Sequence, residues 1–278
     1  MFPVAVGLSV RDPWIADLVE LRDRSAIDVL EVMIDDVICG AGVMERYRQL
    51  GARWPLIAHG VDLGIGNADG LDRRYVDAVA EATSRLRVRW YGDHLCFLAA
   101  NGISLGHFAP VAADPETVER LTANGAVVAE RITTPFILEN PADVLGLGTD
   151  CPDAGVALGR SFGSAVTAAG AGALLDVTNL LYNARNDGFD AAAFIDALPL
   201  ERVVQIHLAG GRNIGGLWID SHDRPVEAES LALLRHALAR TPNLRAVTIE
   251  WDENLPAFEV MLQQVARVRA VLEQQGRR

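Results

Sequence analysis

The sequence predicts an α/β fold, a single parallel (β/α)8 TIM barrel spanning residues 1–278. Three observations carry that expectation. Short apolar runs alternate with amphipathic segments in eight strand-helix beats of about 35 residues each, a typical barrel spacing. No linker or low-complexity stretch interrupts the beats, so one domain is expected. Residues able to bind metal fall at the carboxyl ends of the apolar runs, where barrel enzymes carry their chemistry. A doubly wound open sheet has the same local signals but usually fewer strands.

The first strand is Val4 to Val10, followed by a helix with Trp14, Leu18 and Leu21 at helical spacing, Asp12 placed to cap and Pro13 at its first position. Ile27 to Ile34 is the second strand and carries Glu31, with a short helix from Val43 to Leu50. Pro55 to His59 is the third, and Leu71 to Val88 is amphipathic. The fourth runs from Trp90 to Phe97, before a small excursion at Gly102 to Phe108 and a helix from Glu116 to Arg131 opened by Asp114-Pro115. Phe136 to Leu138 is the fifth strand, ended by Glu139-Asn140-Pro141. A helix over Val156 to Ala169 leads to the sixth strand, Ala173 to Val177, and another helix covers Asp190 to Leu198. The seventh, Val203 to Ile206, is β-branched and releases His207 before Gly210-Gly211. Glu227 to Ala239 is helical, Ala246 to Trp251 is the eighth strand, and Pro256 to Gln274 is the last helix.

Composition narrows the partners. Hydrophobic residues make up 50% and charged residues 22%, which is ordinary for a globular chain. A formal net charge of −12 opposes attraction to a polyphosphate backbone, so no nucleic acid partner is expected. Cys39, Cys96 and Cys151 form no Cys-x-x-Cys pair, which predicts reduced thiols in a cytoplasmic chain rather than a disulfide framework or thiolate zinc site. The start, Met-Phe-Pro-Val-Ala-Val-Gly, lacks the features of a signal peptide. The most apolar stretch, Ala165 to Leu175, is too short for a membrane span.

The strand ends carry His59, His94, Glu139, Asp176, His207 and Glu250, and the loop after the seventh strand adds Asp220 and His222. In an extended Asp220-x-His222 segment both side chains project to one side. His107, in a turn, and His236, on the solvent-prone side of a helix, are explained without a site. So many donors at one barrel mouth are too costly to bury unless they bind metal or charge. Roughly four to six donors complete one site, so two or three ions sharing bridging carboxylates are expected. Imidazole and carboxylate without thiolate favour iron, manganese or zinc. Asp93, Asn140 and Asp252, each beside a donor, are candidates to orient ligands. Cys96 shares a face with His94 if the fourth strand is regular.

At these positions a resemblance emerges. The phrases Ala-His-Gly-Val-Asp-Leu-Gly-Ile-Gly (58 to 66), Asp-His-Leu-Cys-Phe (93 to 97), Leu-Glu-Asn-Pro (138 to 141), Leu-Leu-Asp-Val-Thr-Asn-Leu-Leu-Tyr-Asn (174 to 183), Gln-Ile-His-Leu-Ala-Gly (205 to 210), Ile-Asp-Ser-His-Asp (219 to 223) and Ile-Glu-Trp-Asp (249 to 252) resemble the DUF692 family of multinuclear non-haem iron-dependent oxidases. The likeness spans nearly the whole chain. It implies a barrel holding two or three iron ions of mixed Fe(II)/Fe(III) state, with dioxygen as co-substrate. The implied activity modifies residues, often cysteine, of a ribosomally made precursor peptide in natural-product biosynthesis. By the same likeness His59, His94, Glu139, Asp176, His207, Asp220, His222 and Glu250 are iron ligands, with Asn179 a further, weaker one. Asp220 and His222 are the expected catalytic residues. Relatives often carry a second histidine after the glycine of the seventh-strand motif, where this chain has Gly211.

The resemblance also implies a partner protein that captures the peptide leader. Asn183, Arg185 and Asn186 after the sixth strand, and Arg212 and Asn213 after the seventh, stand in loops where a substrate should lie. The order of ligands is similar, too, to endonuclease IV and to sugar-isomerase barrels, which makes a metal-dependent hydrolase or isomerase the alternative. Endonuclease IV has a histidine where Asn179 stands here. A barrel that only stores or senses metal is the non-enzymatic reading.

Overall fold

The computed structural model describes residues 3–40, 42–111, 114–143 and 153–277. Met1 and Phe2 of the amino-terminal stretch, and Cys151, lie outside the described residues. The chain begins with β1 (Ala5–Ser9), α1 (Ile15–Glu20), β2 (Val29–Met33), α2 (Ile34–Cys39), α3 (Val43–Gly51), β3 (Leu56–His59), α4 (Arg73–Leu86) and β4 (Tyr91–His94). A hairpin of β5 (Cys96–Ala100) and β6 (Ile103–Pro110) follows, then α5 (Pro115–Arg131), β7 (Phe136–Glu139), α6 (Ala154–Ala168), β8 (Gly172–Asp176), α7 (Val177–Asp187), α8 (Ala191–Asp196) and β9 (Val203–Leu208). A second hairpin, β10 (Arg212–Ile214) and β11 (Leu217–Ile219), precedes α9 (Ala228–Leu238), β12 (Ala246–Ile249) and α10 (Phe258–Gln274).

Eight of these strands close into a barrel in the order β1-β12-β9-β8-β7-β4-β3-β2. Every pairing within it is parallel. This is the TIM barrel expected from the alternating pattern. Because helices cover the outside and side chains fill the inside, strand residues such as Val6, Leu8, Leu30, Leu138, Leu175 and Ile206 are buried whichever way they point. Aspartates start several helices by accepting a backbone N–H: Asp72 from Arg74, Asp114 from Thr117, Asp176 from Asn179 and Asp190 from Ala192.

Local expectations needed correction in four places. Asp12 lies inside a 3-10 turn, Asp12–Trp14, whose cap position is held by Arg11 without a side-chain bond, so the expected Asp12 cap does not form. The fourth strand stops at His94, where Leu95 N–H donates to Glu139 O at 2.8 Å, and Cys96 opens the hairpin instead of sharing a strand face with His94. The excursion at Gly102 to Phe108 is that hairpin's outer strand. Residues placed in a loop after the sixth strand, Asn183, Arg185 and Asn186, are helical, because Asp176 caps α7 with no intervening loop. Cys39 is exposed and Cys96 buried, both free thiols. Among the described residues no helix is long and apolar enough to cross a membrane.

Barrel closure between β1 and β2 admits no side chain at Gly7, where a Cβ would stand 1.9 Å from Val29 O. Gly7→Ala is therefore expected to cost about 1–3 kcal/mol or more. Urea unfolding of the two proteins checks it, and an unchanged midpoint would contradict this packing.

Candidate metal centre

Strand register brings the donors together before side chains are considered. His94 pairs with Glu139 across β4 and β7, and Asp176 pairs with His207 across β8 and β9. Met33 pairs with His59, and Thr248 of β12 pairs with His207, so that Glu250, one residue past β12, rises beside it. All these residues end their strands at the same pole of the barrel. His59, His94 and Glu250 open on a cavity of about 570 Å³ that also meets Arg11, Phe108, Asn179, Asp220, His222 and Asp252.

Glu139 stands at the centre, 1% exposed. Its Oε2 lies 3.2 Å from His59 Nε2 and 3.6 Å from His94 Nε2. Its other oxygen, Oε1, lies 3.4 Å from His207 Nδ1, which is also 3.1 Å from Glu250 Oε2. One carboxylate thus faces two donor sets, His59 with His94 and His207 with Asp176 and Glu250, and both sets have ligand atoms close enough to hold an ion. At the rim, His222 Nε2 is 2.5 Å from Asp220 Oδ1. Asn179 turns its amide toward Asp220: with the nitrogen there it donates to Oδ2 at 2.5 Å, and with the oxygen there a cation must separate two acceptors.

Whether these residues fit a metal is decided by what they leave unpaired. His59 Nδ1, His94 Nδ1, Glu139 Oε2, Asp176 Oδ2, His207 Nδ1 and His222 Nε2 are buried without a hydrogen bond. Unpaired buried polar atoms are rare in folded proteins, and Glu139 Oε2, Asp176 Oδ2 and His207 Nδ1, which belong to one group of close donors, fit a cation site. The electrostatics agree. Burial, with His94 and His207 nearby, holds His59 well below the ordinary histidine range, so it is a neutral ligand. Burial also lifts Asp176 well above the carboxylate range, reinforced by Glu139 and Asp220. For His207 burial pulls downward, but Glu250, Glu31 and Glu139 together keep it well above its usual value. His222 behaves the same way beside Asp220, Asp252 and Glu250. Burial pushes Glu250 upward, yet His207, His222 and His59 hold it well below.

A family profile described as RiPP precursor modification enzyme MbnB/TglH/ChrH matches residues 5–273. The chain belongs to this family. A UPF0276 protein of Rhizorhabdus wittichii is 31% identical over 264 residues, covering 94% of this chain and 93% of the relative. One from Pseudomonas aeruginosa is 31% identical over 278 residues, covering 99% and 95%. Among solved structures, an IOLI protein with a bound zinc atom superposes with a TM-score of 0.65 at 11% identity, covering 98% of this chain and 99% of that one. Endonuclease IV from Thermus thermophilus gives 0.58 at 16%, covering 97% and 99%. These two show a shared barrel fold. Family membership makes the chain a precursor-modification enzyme, and its donor clusters fit a metalloenzyme.

In this MbnB/TglH/ChrH member the ligands are oriented from behind. His207 Nε2 lies 3.0 Å from Glu31 Oε2, and Gln205, fixed by Trp90 Nε1 donating to its Oε1 at 2.6 Å, donates to Glu31 and to Thr248 Oγ1 at 2.9 Å. A proton on His207 Nε2 is held by Glu31, and Nδ1 faces Glu139 and Glu250, the side from which an ion would displace its proton. Sequence reasoning missed Glu31 and Gln205 as site residues. The signal was there: a carboxylate and an amide inside otherwise apolar strands must have partners.

Of the suggested orienting residues, Asp252 serves His222, accepting from Nδ1 at 2.8 Å, and is itself paired with Arg11. Asn140 grips the Asp176 backbone at both N–H and C=O, 2.9 Å each. Asp93 turns away from the His94 ring and binds Tyr91 OH at 2.5 Å, and burial lifts its carboxyl to about 7.

The structure does not bring Asn183, Arg185, Asn186, Arg212 or Asn213 into the cavity. Asn183 ties Pro141 O and Asp143 N–H, and Asn186 grips the Trp218 backbone at 2.8 and 2.9 Å. Arg185 lies over the Trp218 ring and pairs with Glu227, Arg212 pairs with Glu253, and Asn213 accepts from Gly216 N–H in the β10–β11 turn. Gly211 has a local reason to be glycine: a Cβ there would lie 2.2 Å from Ile219 O.

Removing the anchor should loosen the metal. Glu31→Gln is expected to weaken metal retention roughly 10- to 100-fold, read by chelator competition; unchanged retention would deny Glu31 this role. Acid should do so as well. In the metal-free protein His207 and His222 keep protons above the pH at which a free imidazole has lost them, so an ion must displace those protons. Affinity should rise with pH until both raised values are passed and level off above them, with protons released on binding. Calorimetry in buffers of different ionisation enthalpy measures that release.

Proposed function

We propose that this enzyme is a multinuclear, iron-dependent oxidase that uses dioxygen to modify a residue, cysteine by preference, of a ribosomally made precursor peptide. The observation that carries the reading is Glu139, whose two oxygens face two separate imidazole sets. A bridging carboxylate between neighbouring positions suits a multinuclear centre. In this reading His59, His94 and Glu139 hold one iron, and Glu139, Asp176, His207 and Glu250 hold a second. Asp220, His222 and Asn179 serve a third position at the mouth. When bound, iron supplies the coordination of a peptide thiolate and of dioxygen and the electron transfers between them.

The chain's own residues position and insulate. Glu31 fixes the His207 ring, and Asp252, held by Arg11, fixes the His222 ring. Asp220 and His222 are the catalytic pair: Asp220 is half-buried at the rim, and when no third ion occupies that position its Oδ1, next to His222 Nε2, would take a proton leaving the peptide. Phe108 stacks on His94 at 4.3 Å between ring centroids and shields that side of the centre from water. A separate leader-binding partner, as the family resemblance suggests, completes the proposal, in a cytoplasmic setting.

Protein purified without added metal or chelator should contain roughly two to three iron per chain. It should consume dioxygen when given a cysteine-bearing precursor, and Asp220→Ala should abolish turnover while His59, His94 and Glu139 retain their iron. Zinc at similar stoichiometry, even after iron-supplemented growth, would move the assignment to a metal-dependent hydrolase.

A further inference from the structure

The large apolar residues left exposed are unevenly distributed. Among the described residues they are Val19, Ile103, Leu105, Ile214 and Leu217, and all but Val19 sit on the two hairpins. Ile103 is 68% exposed, Leu105 46%, Ile214 54% and Leu217 41%, too open to serve the core. Both hairpins leave the barrel at the metal pole, one after β4 and the other after β9. Phe108 of the first and Ile219 of the second line the metal cavity, so each hairpin that carries exposed apolar residues also contributes to the cavity wall. Soluble proteins rarely concentrate such residues without a partner.

These are built platforms. The first turns on Asn101-Gly102 and the second on Gly215-Gly216, all at positive φ, as tight two-residue turns require. Asn67 Oδ1 accepts from Leu98 and Ala99 N–H at 2.7 and 3.1 Å, which pins the outer side of β5. Asn186 grips Trp218 of β11 by both backbone groups, while Trp218 stacks on Tyr182. The register shift between Phe97 and Ala99 marks a bulge that carries Phe108 onto His94 and leaves Ile103 and Leu105 outward. From residue 95 to 113 there is no Asp, Glu, Lys or Arg, in a chain that is 22% charged.

We propose that the two hairpins clamp the precursor peptide on both sides of the residue that is modified, and that they select uncharged, apolar neighbours for it. The inference rests on the peptide-oxidase reading above and adds its specificity. The occupant is the peptide because each hairpin also lends a residue to the cavity where the chemistry is proposed to occur, and because the first hairpin, uncharged from residue 95 to 113, disfavours an acidic or basic segment. Asn67 and Asn186 are positioning residues that hold the clamp ready, so little ordering is lost on binding.

The test pans a displayed library of peptides about ten residues long, enough to cross a barrel mouth at ~3.3 Å per residue, each with one central cysteine, on the metal-loaded chain. Enriched peptides should carry apolar residues on both sides of the cysteine. Ile103→Lys with Leu105→Lys, and separately Ile214→Lys with Leu217→Lys, should each weaken their binding roughly tenfold, with metal content unchanged as the check on folding. Hydrogen exchange at both hairpins should slow in the bound state. The clamp is overturned if no peptide is enriched, if the flanks are charged, or if either double variant leaves binding unchanged. It is equally overturned if the protein self-associates through these residues, which would assign the surface to a second copy. Binding that obeys the clamp without oxidation of the cysteine would sink the oxidase reading and leave the clamp standing.

Discussion

Burying several carboxylates and imidazoles at one end of a barrel is the constraint to which the rest of the structure answers. Glu31, Glu139, Asp176 and Glu250 are each at most 5% exposed, and His59 and His207 lie between them. Carboxylates so close in a low-dielectric interior repel, and burial with Glu139 and Asp220 nearby lifts Asp176 well above the carboxylate range. Part of the compensation is internal, through charged His207 and His222 and through Gln205 and Ser9 donating to Glu31. Glu139 Oε2, Asp176 Oδ2 and His207 Nδ1 remain without a hydrogen bond where a cation would sit. Behind His207 and His222 the bonds to Glu31 and Asp252 are made.

Much of this was legible in the sequence, for a physical reason. A parallel barrel buries its strands on both faces, so strands announce themselves as apolar runs, and a polar residue at a run's end is conspicuous. His59, Glu139, Asp176, His207 and Glu250 were found in that way, and the structure brings them together. Signals that depend on partners were not legible. In the sequence Glu31 is only a carboxylate carried by the second strand, and the fold alone shows Gln205 and His207 beside it across the barrel. The Asn-rich segment after Asp176 suggested a loop because asparagine and arginine favour solvent, yet Leu180, Leu181 and Ala184 keep helical spacing and are buried. Asn101-Gly102 is the hairpin cue at the excursion after the fourth strand, since both residues adopt the positive φ that a two-residue turn demands.

The two ends of the donor set are held in different ways, and the difference bears on reactivity. His94, Glu139, Asp176 and His207 belong to strands whose backbones pair residue to residue, so their spacing is set by the barrel itself. His222 sits in a loop at a φ of 45°, an uncommon conformation for a residue with a side chain. It persists because Asp252 N–H donates to its carbonyl at 2.7 Å while the Asp252 carboxylate takes its ring, and because Gly210 O receives Asp223 and Arg224 N–H just beyond. A strained residue held by so many bonds is positioned rather than mobile. The inner donors therefore define a rigid pair of positions, and the rim donors Asp220 and His222 stand over them on a separate, independently braced loop. Under the proposed clamp a substrate would meet the rim first, so changes in that loop would leave undisturbed the register that sets the inner donors.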